Sequence, residues 1–145
     1  MPTSQYVHFA LFSERTSAAA VTAHLGVEPD EATVRDSRPA VPVTHRWEIS
    51  CREPGLCVDE QISCVLTGLR PHLDGLADLA RRLRGESPGG GAVLEIVRCF
   101  TDERPPSGEA DGPDLFGRHL DTDVLDFLIE TGASSDVDEY DLTGD

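Results

Sequence analysis

The spacing of apolar positions changes period several times along the chain, and each change marks an element. Tyr6-Val7-His8-Phe9-Ala10-Leu11-Phe12 is rich in aromatic and branched residues, which predicts a strand. Its apolar residues fall on both faces, as in a central strand. Ala18, Val21 and Leu25 then recur at helical spacing behind a Thr16 or Ser17 cap. Gly26, suited to the left-handed stop, and Pro29 end that helix. Asp30 to Pro42 has no period and is a loop. His45 to Cys51 alternates, with Trp47, Ile49 and Cys51 on one face and Arg46 and Glu48 on the other. This predicts a half-buried strand.

Val58, Ile62, Val65, Leu66 and Leu69 form an amphipathic helical stripe. Asp59 and Glu60 occupy its first turn, where the helix dipole favours acids. Pro71 fits the first position of a second helix, where a missing N–H costs nothing. Leu73, Leu76, Ala77, Ala80 and Leu83 make its stripe, and Gly85 is its expected stop. Val93 to Phe100 is an apolar run broken only by Glu95 and Arg98. Residues 101–118, rich in Pro, Gly and acids, are expected to be a mobile acidic loop. A capped helix follows from Leu120 to Gly132. Asp121 is its N-cap, Leu120 staples to Leu125, and Val124, Leu125, Leu128 and Ile129 are its expected buried stripe. Ser135 to Leu142 reads as an edge strand guarded by its charges, and residues 143–145 as a frayed tail.

These elements predict one α+β domain over residues 1–145, with a sheet of about four strands and three or four helices packed on it. The two ends share an order of strand, capped helix and extended segment, a weak internal echo.

Charge sharpens this picture. The formal net charge is −15, and all 12 basic residues are Arg. Residues 101–145 carry 14 acids against 2 Arg and so supply −12 of the total. That field disfavours nucleic acid and anionic membrane and suits a basic protein partner. Met1 to Gln5 shows no signal-peptide pattern, and no apolar run is long enough to span a bilayer, so a cytoplasmic location is expected. Cys51, Cys57, Cys64 and Cys99 lack zinc-knuckle spacing. Cys64 and Cys99 are expected as small core residues, whereas Cys51 and Cys57 flank a Pro54-Gly55 turn and can lie close enough to pair.

Common catalytic motifs are absent: no Gly-x-Ser-x-Gly, no phosphate loop, no His-Glu-x-x-His, and no Lys at all. No cofactor and no dedicated metal site is expected. His8 and His45 would meet only if their strands were neighbours. The candidate binding residues are Arg46, Trp47, Asp136, Asp138, Tyr140 and Asp141. The expected function is a non-catalytic binding or interaction module, immunity-like in one version and directed at a basic partner. The alternative is a metal-dependent enzyme using Asp136, Asp138 and Asp141.

Five segments, in order, resemble a bacterial family known as domain of unknown function 4279. They are the first strand, the helix ending in Leu25-Gly26-Val27-Glu28-Pro29, the lone Trp47 strand, the helix pair around Leu66, Leu69 and Leu73, and the stretch from Leu125 to Tyr140. The resemblance implies a compact α+β domain and assigns no activity or functional residue. Two positions depart from the family pattern. Arg35-Asp36 stands where a basic-Gly pair is usual, and Glu139 stands at an apolar position.

Overall fold

The computed structural model describes residues 3–36, 43–101 and 119–144. The acidic loop expected at 101–118 and the final residue of the tail therefore lie outside the described residues, Thr101 excepted. The elements run β1 (Thr3–Ser13), α1 (Ala18–Leu25), β2 (Glu31–Thr33), β3 (His45–Cys51), α2 (Val58–Leu69), a 3-10 turn (Arg70–His72), α3 (Leu73–Glu86), β4 (Gly91–Phe100), α4 (Thr122–Thr131) and β5 (Ser134–Asp141). No helix among the described residues is long and apolar enough to cross a membrane.

The strands form one mixed sheet in the order β2-β3-β1-β4-β5. As its two-faced apolar pattern implies, β1 is central, and it pairs antiparallel with both β3 and β4. β5 lies parallel to β4 at one edge, and β2 lies antiparallel to β3 at the other. Since β1 and β2 each oppose β3, they run parallel to one another. The echo seen in the sequence is thus two parallel strand–helix–strand units. In β4-α4-β5 the strands are adjacent, whereas β3 is inserted between the strands of β1-α1-β2.

The core forms between the helices and one face of the sheet. Val7, Phe9 and Leu11 from β1, Trp47 from β3 and Leu94 and Ile96 from β4 meet Val58, Ile62, Leu66 and Leu69 of α2 and Leu76, Leu79 and Leu83 of α3. The Trp47 indole N–H donates to Thr22 Oγ1 at 3.2 Å, which ties β3 to α1. Gln61 Nε2 donates to the Gln5 carbonyl at 3.0 Å and ties α2 to β1. The caps follow the sequence: Ser17 accepts from Ala20 N, Asp121 accepts from Val124 N, and Gly26 and Gly132 take left-handed conformations. α3 runs past Gly85 to Glu86. Gly90 is required by close approach, since a Cβ there would sit 2.1 Å from the Leu83 carbonyl oxygen.

Two expectations need correction. In α4 the buried row is Val124, Phe127, Leu128 and Thr131, with the Phe127 ring edge-on to Phe9 at 5.5 Å. Leu125 and Ile129 point outward, Ile129 being 76% exposed. The helix is rotated because the large Phe127 ring takes the inward position, where it buries more area than either aliphatic residue. Cys64 is exposed and Cys99 only half-buried, because both lie off the inward rows of α2 and β4. Among the described residues no disulfide forms, Cys57 serves as the N-cap of α2, and the thiol beside Cys51 is Cys64.

Asp36 is left-handed at φ 58°, a conformation that glycine adopts without steric cost. Asp36→Gly should raise stability by up to about 1 kcal/mol. Phe127→Ala should cost about 3–5 kcal/mol. Ile129→Ala should stay within about 0.5 kcal/mol of wild type. Urea unfolding of the three variants checks all of this, and equal losses at Phe127 and Ile129 would refute the observed rotation of α4.

Candidate functional site: the open face of the sheet

Strand alternation places a polar layer opposite the core. With Val7, Phe9 and Leu11 inward, β1 presents Tyr6, His8, Ala10 and Phe12 on the other face. β3 presents Arg46, Glu48 and Ser50 there, and β4 presents Val93, Glu95 and Val97. The register sets His8 beside Glu95 on one side and Ser50 on the other. In β5, Asp136 lies beside Glu95 and Asp138 beside Val97.

Four of these side chains form one network. His8 Nε2 lies 2.7 Å from Glu95 Oε2. Arg46 Nε donates to Glu48 Oε1 at 2.7 Å, and its terminal nitrogen donates to Glu95 Oε2 at 3.3 Å. A carboxylate only accepts, so the His8 Nε2 that faces Glu95 bears a proton. The 3.4 Å approach of Arg46 to His8 Nε2 then sets two donors side by side, both held by Glu95. His8 is 6% and Glu48 8% exposed, so these interactions act with reduced solvent screening. Tyr6 stacks on His8 at 5.9 Å, and the Arg52 guanidinium covers Tyr6 at 3.8 Å. His8 Nδ1 and Ser50 Oγ, on register-paired residues, are both buried without a hydrogen-bond partner.

Glu95 also meets Asp138, and the contact moves the two carboxyls in opposite directions. Burial pushes Glu95 up, but hydrogen bonds from Asp138 and His8 and the charges of His8 and Arg46 outweigh it and leave Glu95 below the usual range. Asp138 moves the other way, chiefly because its proton bridges to Glu95.

The sequence-derived candidates separate on this scaffold. Arg46 stands at the centre of the network. Asp138 joins it from the edge, and Asp136 and Tyr140 follow the same alternation along β5. Trp47 does not belong to the site: it is fully buried among core side chains, on the opposite face from Arg46. By alternation Asp141 also turns away from Asp136 and Asp138, and it accepts from the Thr143 backbone N–H at 2.9 Å. His8 and His45 do not meet although their strands are neighbours, because the register sets His45 opposite Ser13.

Sequence reasoning missed the partnership of His8 with Glu95. The signal was a lone acid interrupting the apolar run of β4. The other interruption, Arg98, is 1% exposed and pairs with Glu139 at 3.4 Å. Glu139 thereby supplies a counter-charge to a buried Arg.

A carboxyl-resolved NMR titration should find Glu95 losing its proton below, and Asp138 above, the ordinary value of its type. Because the folded state depresses Glu95, its contribution is present above the usual carboxylate range and is lost as pH falls through its folded value. Glu95→Gln should remove that acid-side loss. Asp138 is raised, so its contribution is present at low pH and is lost as pH rises through its folded value; Asp138→Asn should flatten that second change. Urea midpoints against pH read both effects.

No curated protein and no solved structure matches this chain. A family model does match, over residues 3–142, nearly the full length and including every strand and helix described above. The chain therefore belongs to the family described as domain of unknown function (DUF4279).

Proposed function

We propose that this protein is a non-catalytic binding module of the bacterial cytoplasm that docks a basic protein partner along the acidic edge of its sheet. Neutralisation of a basic toxin, an immunity-like role, is one concrete form. The observation that carries the reading is β5. This edge strand presents Asp136, Asp138, Glu139 and Asp141 in six residues, and every residue of it but Asp138 is exposed. It belongs to the third of the chain that holds most of the excess negative charge. Exposed charge of one sign steers a partner of the other sign and raises its encounter rate.

The alternative is a metal-dependent enzyme using Asp136, Asp138 and Asp141. The geometry favours it less, because Asp141 lies on the opposite face from the other two. Among the described residues no group of three or more His, Cys, Asp or Glu side chains is arranged to hold a metal ion.

Association with an Arg-rich basic peptide should slow as salt is added, since exposed charges are screened within about 8 Å at physiological ionic strength. Changing Asp136, Asp138 and Asp141 together to Asn should slow association more than it speeds dissociation. Changing Glu14 and Glu28 to Gln should do little. Stopped-flow rates for the two variants decide the matter. Equal rates in both, or binding that strengthens with salt, would reduce the acidic third to a solubility device.

A further inference from the structure

The acidic edge has a shape as well as a charge. β5 is an eight-residue strand paired on one side with β4. Among the described residues it is the last strand in the order of the sheet, so its other side there presents backbone N–H and C=O groups at the edge. Val137 and Tyr140 are 49% and 51% exposed, so neither face of the strand is closely covered. On α4, which leads directly into β5, Leu125 and Ile129 are also exposed. Such an edge offers an extended segment a ladder of main-chain hydrogen bonds, with alternate side chains setting the specificity.

A second copy of this chain is a poor occupant. In an antiparallel pair of β5 strands centred between Val137 and Asp138, Asp136 would face Glu139. Sliding the register by one residue sets Asp138 against Asp138 or Asp136 against Asp138. A further slide sets Asp138 against Glu139 in one direction; in the other it sets the acids opposite Ser134, Ser135 and Val137 and shortens the pairing. A parallel in-register pair sets every acid on itself. Like charges directly opposite one another destabilise a pair of strands. The same spacing suits a strand that alternates cations with apolar residues. Its cations would lie on the open face with Asp136, Asp138 and the Tyr140 ring, and its apolar residues on the other face with Val137.

We propose that β5 accepts an extended basic segment of a partner protein as a sixth strand, with Arg or Lys side chains against Asp136 and Asp138. This rests on the basic-partner reading above and adds the form in which that partner is recognised.

The test uses the full chain and four blocked synthetic peptides: one alternating Arg with Val, its fully N-methylated counterpart, an Arg-Gly-Ser peptide of equal charge, and one alternating Glu with Val. The Arg-Val peptide should bind and slow amide exchange along β5. N-methylation keeps the charges and removes the donors, and should weaken binding about tenfold or more, as loss of one or two hydrogen bonds implies. In a variant with Asp136→Arg and Asp138→Arg, checked for folding by circular dichroism, preference should switch to the Glu-Val peptide. If the N-methylated or Arg-Gly-Ser peptide binds as well as Arg-Val, or if β5 exchange is unchanged, strand addition is wrong while the basic-partner reading survives. If none of the Arg peptides binds, both fall.

Discussion

The structure depends on the burial of β1 between two antiparallel neighbours. Its inward row of Val7, Phe9 and Leu11 is at most 1% exposed and touches the elements that make up the core. Fixing that row inward fixes the outward row as well, because strand side chains alternate strictly. His8 therefore has to leave the core, and the registers of β3 and β4 bring Arg46 and Glu95 to it. A slip of one residue would drive His8 and Glu95 into the helices and lift Phe9 out, so the core itself specifies the polar network.

That network is costly by the standards of an exposed surface. Glu48, Glu95 and Arg46 surrender much of their hydration, and their mutual hydrogen bonds offset the loss. Removing one partner leaves the others buried and unpaired, and this is the damaging event. The contact of Glu95 with Asp138 links the interior of the open face to the acidic edge, so a cation arriving at β5 would meet a carboxyl that touches the network.

Asp36 and Glu139 each have a local physical setting. Asp36 occupies a left-handed position, which Asp tolerates better than most residues do. Glu139 lies beside Arg98, whose guanidinium is buried and also approaches the Phe100 ring at 5.1 Å.

The sequence by itself determined every element except β2, which forms inside the span read as a loop, together with the caps at Ser17 and Asp121, the glycine stops at Gly26 and Gly132, and the central place of β1. These follow from period and capping chemistry, which act over a few residues. It also determined that Arg46 and Glu48 face away from Trp47, since alternation needs no partner strand. What only the tertiary structure decided was anything set by register or by competition for space. The sequence pattern does not say which strand lies beside β1, so the meeting of His8 with Glu95 was not readable, nor was the failure of His8 to meet His45. The inward turn of Phe127 at the expense of Ile129 was hidden for a related reason. Both residues fit a helical stripe, and only the space beside Phe9 chooses between them.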